Sequence, residues 1–544
     1  MFHQLLTPVG GNLFLSFLIA ALPILTVIVL LGVVRRPAWQ ASLAGLIVAL
    51  IIAIGVWQMP TGLAFNATVA GMVFALWPVM WIVFNALLLY NIALATGRFD
   101  AFRRWILEHM PNDRRIVLVV IGFCFGALLE GIAGFGTPVA ITSALLIMVG
   151  FAPLEALTFT LIFNTAPVAF GALGVPITVL GVVTHQSDIA LGQMVGRQLP
   201  IIALILPFYV MAFYGGRKSV KALFPVLLVA GGSFALTQFI VSNYINYALT
   251  DVLSSLVSLI VTVSFLTMWR PAHDPAYALN ISSQAADEVA ARVGASVESR
   301  HVPTWQGWMP WIVVSVVVII WTVFKIFLIG DLKIPWPGLD KAIAITLYNN
   351  APYAAVWDFQ PLATGTAILV SAIIVGLWTG IGVGGFFTAV GATFKQAWIA
   401  IVTVALILGV AYLMNYSGMN YTLGLAAASV GLFFPIVSAF LGWVAVFLSG
   451  SDTSGNALFG NLQVVAAHQL NLNPILIAAT NSSGGVMGKM ISPQNIATGV
   501  SVTDLKGQEG VVFSKTFKHS IIMTIILAII VLLQQYVFHW MIPS

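Results

Sequence analysis

Long apolar runs separated by short polar breaks dominate the chain. The first, residues 13–34, stops at Arg35 and Arg36. Runs 43–57 and 63–95 follow, before a loop that carries Arg98, Arg103, Arg104, Arg114 and Arg115. These runs do not alternate polar and apolar positions, which excludes a membrane barrel. A helix needs roughly 20 apolar residues to cross the hydrocarbon core. Lipid offers no partner to free backbone groups, so spans must be helical. The pattern predicts an all-α, polytopic transmembrane protein of about 12–14 spans. Lys506, Lys515 and Lys518 precede a last clean span at 521–541.

Two segments break this pattern, 130–176 and 449–493, both rich in Gly, Pro, Asn, Ser and Thr. Such residues at membrane depth fit only where the backbone lines a cavity inside the protein. The segments also match each other. Asn164 is followed by Gly171 seven residues on and Pro176 twelve on; Asn481 is followed by Gly488 and Pro493 at the same spacings. Glu130 precedes Asn164 by 34 residues, and Asp452 precedes Asn481 by 29. Paired interruptions in two halves mark the binding site of a secondary transporter built from inverted repeats with broken helices or re-entrant hairpins. The halves are 1–269 and 305–544, joined by a polar linker at 270–304 that the span count makes cytoplasmic. The basic loops place the cytoplasm on their side and the N-terminus outside, with the polar stretch 330–361 also outside.

Composition sharpens this. Residues are 60% hydrophobic and 7% charged, against about 25% charged in soluble domains, so most of the outer surface faces lipid. The net charge of +5 reads as cytoplasmic-loop Lys and Arg, not as a nucleic-acid surface. The single cysteine, Cys124, excludes an internal disulfide and reads as a packed thiol. No basic residue precedes the first apolar run, so the N-terminus does not read as a cleaved signal peptide and the first helix is expected to be retained.

Broken helices present free N–H groups and positive dipole ends to an anion, and Gly134, Gly136, Gly484 and Gly485 let the backbone come close to it. Thr137, Asn164, Thr165, Asn481 and Ser482 are candidate hydrogen-bonding groups for a small anion, as are Ser451, Thr453 and Asn456. The plainer reading is that these small polar residues satisfy one another between packed helices. Lys489 is costly at this depth. It either neutralises an anionic solute, pairs with Asp452 or a helix C-terminus, or snorkels to the interface. Glu130 and Asp452 are the candidate proton carriers, because a carboxyl removed from water holds a proton more readily; capping a broken helix is the alternative for Asp452. Glu155 reads as interfacial, Asp188 and Arg197 as a potential pair, and the nearby His185 as structural.

No metalloprotease, nucleotide-binding, dinucleotide or CxxC signature is present, so no cofactor is expected and transport must run on an ion gradient or downhill. GFCFGALLEGIAGFGTPVAITSALL, LIFNTAPVAFGALGVPI, GQMVGRQLP, FLGWVAVFLSGSDTSGNALFGNLQ and GGVMGKMISPQNIA resemble the bacterial L-lactate permease family, as does the C-terminal KHS…LLQQY…WMIP. The likeness spans essentially the whole chain. It implies a proton-coupled symporter of the bacterial cytoplasmic (inner) membrane that takes up L-lactate, D-lactate and glycolate. It also implies kinship with the wider ion-transporter superfamily, with inverted repeats and, in several members, an elevator-like transport domain. An elevator needs an anchored scaffold, which a homodimer would supply. Gly455 in SDTSGN and Thr137 in GFGTP replace small residues by small ones, a difference that bears on fine substrate preference. The alternatives are a sodium-coupled carboxylate carrier, a channel, and a lipid-directed membrane enzyme, the last lacking any visible acid–base or metal cluster.

Overall fold

Helices build the molecule, as the apolar runs predict. The computed structural model describes residues 1–543 except 33, 35, 133–136, 273, 280–301, 504, 506 and 507. The 270–304 linker thus lies largely outside the described residues. In the first half the helices are α1 (Leu13–Gly32), α2 (Ala38–Gly55), α3 (Thr61–Phe74), α4 (Trp81–Ala95), α5 (Arg98–Glu108), α6 (Arg114–Ile132), α7 (Thr137–Met148), α8 (Pro153–Phe163), α9 (Gly171–Thr184), α10 (Asp188–Tyr244) and α11 (Thr250–Met268). In the second half they are α12 (Met309–Val323), α13 (Thr364–Thr379), α14 (Gly382–Ser417), α15 (Met419–Ala427), α16 (Phe434–Ser449), α17 (Asp452–Gln469), α18 (Pro474–Lys489), α19 (Pro493–Val502) and α20 (Glu509–Tyr536).

Among the described residues, ten helical segments are long and apolar enough to cross a membrane. One of them, α10, turns back at Gly216, whose φ of 67° suits a residue without Cβ. Its arms run antiparallel, so that a Cβ at Gly231 would stand 2.8 Å from the Leu204 carbonyl oxygen. The segments Pro153–Phe163 and Val168–Thr184 form one further, bent crossing, with a 65° break. Large apolar side chains on the outer face meet lipid: on α1, Phe14, Leu18, Leu22 and Leu25 recur at helical spacing and are all exposed.

The two ends of the bundle are distinct. At one end the basic loops meet: Arg104 donates to the Val302 carbonyl (2.9 Å), Arg114 to that of Ala276 (2.9 Å), and Arg115 to Ser219 Oγ (3.3 Å). At the other end β1 (Phe2–His3) pairs in parallel with β3 (Ile343–Ile345), which pairs antiparallel with β4 (Ala351–Pro352). The hairpin of β2 (Leu332–Pro335) and β5 (Val356–Phe359) belongs to the same 330–361 stretch. The stretches that the sequence assigns to one side therefore share a face.

Candidate functional site

The two interrupted segments fold as inverted units entering from opposite ends. α6 starts at the basic end, and α7 returns there, where Arg114 Nη1 donates to the Gly150 carbonyl (3.2 Å). α8 then rises to the middle, the chain breaks, and α9 continues to the far end, where His185 Nε2 meets Tyr353 OH at 3.2 Å. In the second unit α16 starts at the far end, where the Leu432 carbonyl accepts from Tyr536 OH (2.8 Å). α17 returns to that end, and the turn before α18 is held there by Asn473 N donating to Gln535 Oε1 (3.4 Å). α18 descends to the middle, and α19 leaves toward the basic end, its Ile496 and Val500 packed against Leu157 of α8. Pro176 and Pro493 take matching places. Pro493 opens α19 at a position where its missing N–H costs nothing. Pro176 follows three left-handed residues, Ala172, Leu173 and Gly174 (φ 44°, 55° and 78°), after which α9 becomes regular. Two non-glycine residues in that region store strain of the kind that clusters at functional sites.

The breaks surround a cavity of about 40 Å³. One water needs roughly 10–15 Å³ on this scale, so only a small solute fits. One wall is Glu130, Gly171, Ala172 and Pro176; the other is Ser451, Asp452, Thr453, Lys489 and Gln494. Lys489, the last residue of α18, donates from Nζ to Glu130 Oε1 at 2.6 Å, joining the two units. Glu130 Oε2 accepts from Asn164 Nδ2 at 2.9 Å. Both side chains of the ion pair are buried. Glycines give these charges room: a Cβ at Gly171 would stand 2.9 Å from Glu130 Oε1, and one at Gly485 would stand 2.4 Å from Asp452 Oδ1. Asp452 Oδ2 accepts from Ser482 Oγ (2.5 Å) and Asn456 Nδ2 (3.3 Å). The N-terminus of α17 also faces the cavity, adding its positive dipole end to Lys489. The arrangement can hold one small anion against a single cation, with carboxyl groups at hand.

The sequence profile described as L-lactate permease matches residues 16–538. The chain belongs to the L-lactate permease family. As a permease it is a multi-pass membrane transporter and not an enzyme. It is 43% identical to the glycolate permease GlcA of Escherichia coli, over 99% of both chains. It is 42% identical to the L-lactate permease of Salmonella typhi over 98% of both, and 40% identical to that of Bacillus subtilis over 99% of both. The solved structure of Neisseria gonorrhoeae MtrF, from a class of antimetabolite efflux pumps, superposes with a TM-score of 0.50 at 13% identity, covering 94% of this chain and 98% of that one. That likeness is of fold alone.

Against this permease geometry the sequence candidates divide. Glu130, Ser451, Asp452, Thr453 and Lys489 line the cavity. Asn164 and Ser482 stand behind it, each holding a carboxylate. Asn456 reaches across to the Pro176 carbonyl (3.1 Å), and its Oδ1 accepts from Asn481 Nδ2 (2.9 Å). Asn481 Oδ1 accepts from Gln463 Nε2 (2.6 Å), so Asn481 locks α17 to α18 instead of facing the cavity. Thr165 Oγ1 donates to the Ile162 carbonyl (2.7 Å). Gly134 and Gly136 lie outside the described residues, as does the side chain of Thr137. The N-cap of α17 is Ser451, whose Oγ accepts from Ser454 N (3.4 Å), and not Asp452. Asp188 and Arg197 do not pair: nine residues on one helix put them on opposite faces. Asp188 accepts from Tyr247 OH (2.7 Å), and Arg197 donates to Asn243 Oδ1 (2.7 Å) and the Met541 carbonyl (2.8 Å). The sequence reading missed Gln494 and the buried Asp251. A lone acid in an apolar run was the available signal for Asp251.

Proposed function

We propose that this permease is a proton-coupled symporter that takes up L-lactate and related 2-hydroxy-monocarboxylates, D-lactate and glycolate among them, across the bacterial cytoplasmic membrane, with its N-terminus outside. The observation that carries the reading is the Lys489–Glu130 contact of 2.6 Å in the cavity wall. In the empty site the two charges cancel. A monocarboxylate that takes Lys489 strands Glu130 as a buried, unpaired charge, at a cost of about 3–5 kcal/mol. A proton on Glu130 removes that cost. Anion and proton therefore load together or not at all, and the loaded site is again neutral. A neutral load does no work against the membrane potential, which would otherwise cost about 2.3 kcal/mol per charge per 100 mV. Ser451, Thr453 and Asp452 on the opposite wall offer polar groups to the 2-hydroxyl.

The test is uptake of labelled L-lactate by purified protein in liposomes under an inwardly directed proton gradient (acid outside), with and without sodium. Accumulation that a protonophore collapses is the expected result. Accumulation that requires sodium and ignores the pH gradient would replace this reading with sodium coupling.

A further inference from the structure

Asp251 takes no part in the scheme above, yet its position is hard to explain otherwise. It is fully buried in the first turn of α11, and among the described residues neither of its carboxyl oxygens has a hydrogen-bond partner. A carboxylate there ordinarily caps free N–H groups of its helix; Asp251 accepts none. Its side chain lies against α6: a Cβ at Gly131, the neighbour of Glu130, would stand 3.1 Å from Asp251 Cβ and 3.2 Å from its Oδ2. Of the helices around it, α6 contributes Glu130 and α18 contributes Lys489 as the charged groups in electrostatic reach. Lys489 is already matched by Glu130. An ionised Asp251 would thus be an unpaired charge in the protein interior, which a carboxyl group avoids by keeping its proton.

Four residues before Asp251, Tyr247 borders a second cavity of about 600 Å³, lined also by Thr178, Asp188 and Asn246, at the end of the bundle away from the basic loops. Tyr247 OH donates to Asp188 Oδ2 (2.7 Å) and meets Thr178 Oγ1 at 3.1 Å. α11 runs from this vestibule toward the basic end, so Asp251 stands one turn deeper than Tyr247 and against Gly131, the neighbour of Glu130.

We propose that Asp251 is the proton relay of this permease, taking protons from the vestibule and passing them to Glu130 by a route separate from the substrate cavity. No hydrogen bond joins Asp251 to Glu130 among the described residues, so in the step one water bridges them: the O–H bond of the Asp251 carboxyl group breaks, the water takes that proton and gives up one of its own, and a new O–H bond forms on the Glu130 carboxylate. Lys489 Nζ moves from Glu130 Oε1 to the incoming carboxylate, and a proton from vestibule water restores Asp251. Only a proton changes hands, and no electrons move. The inference rests on the proton-coupled reading above.

Asp251→Asn keeps the shape of the side chain and cannot release a proton. Wild type and variant are compared in liposomes for pH-driven accumulation of labelled L-lactate and for counterflow exchange of the same label, which needs no net proton movement. The expected result is a loss of driven accumulation of about 10²-fold, the scale of removing a positioned proton-transfer group, with counterflow retained. Wild-type rates of accumulation in the variant would overturn the proposal, as would equal loss of both activities, which is the mark of a merely structural residue. If the wild type itself shows no pH-driven accumulation, the proton-coupled reading fails first. Should Asp251→Asn not fold, Asp251→Glu serves instead. The infrared band of the protonated carboxyl group should move on this change, and a band left unmoved would overturn the proposal.

Discussion

Lys489 and Glu130 lie 359 residues apart in sequence and 2.6 Å apart in space. Because both are buried, removing one partner should cost more than removing both. Lys489→Met is expected to lower stability by about 3–5 kcal/mol, and adding Glu130→Gln should recover most of it, while lactate transport stays lost in both. Thermal unfolding of the purified protein in detergent measures this; an unchanged midpoint in Lys489→Met would mean that the pair is not a dry ion pair. Glu130, Asp452 and Lys489 were legible in the sequence as expensive charges at membrane depth. Their pairing was not: the reading offered Lys489 the substrate, Asp452, a helix C-terminus or the interface, because no spacing rule connects residues in different halves. Asp251 escaped because the rest of its helix reads as an ordinary span.

The site holds its shape because α16 and α18 touch through glycine. A Cβ at Gly442 would stand 2.1 Å from the Asn481 carbonyl oxygen, and one at Gly484 would stand 2.2 Å from that of Ala439. Close backbone approach at small residues is how helices associate without a hydrophobic driving force between them. At Gly488 the obstacle is backbone again, with Trp443 O at 2.2 Å and Phe447 N at 2.8 Å from an added Cβ. Gly488→Ala must therefore push α16 away and carry Lys489, the next residue, out of register. A loss of about 1–3 kcal/mol is expected, with impaired lactate uptake. Gly391→Ala, whose Cβ would meet nothing within 4 Å, should leave both unchanged. Thermal unfolding and liposome uptake of the two variants, side by side, decide the matter. At this scale the sequence was informative about breaks: the matched Asn, Gly and Pro spacings marked both segments in which a helix is interrupted. It was silent on the left-handed turn at Ala172 and Leu173, since nothing in those residue types announces a positive φ.

Across the whole molecule, two oppositely oriented units place their breaks at one central cavity, and the loops at each end keep to one side. A carrier needs this geometry, because its site must be reachable from either end in turn. The proportion of apolar residues and the basic loops were enough to read a polytopic helical protein and to sort its loops into two faces. The span count was harder to read, since α7 and α8, at 12 and 11 residues, are arms and not crossings. On the proposed reading, coupling is likewise a property of the whole: the carrier must fill with proton and anion together and return empty of both, with Lys489 and Glu130 paired. The most direct test compares wild type with Glu130→Gln in liposomes, following labelled L-lactate both in pH-driven uptake and in counterflow. The neutral amide stands for a permanently protonated Glu130 and leaves Lys489 free for the anion. Glu130→Gln should therefore exchange lactate by counterflow and fail to accumulate it against its gradient. Accumulation by Glu130→Gln at the wild-type level would contradict the claim that anion and proton meet at the Lys489–Glu130 pair.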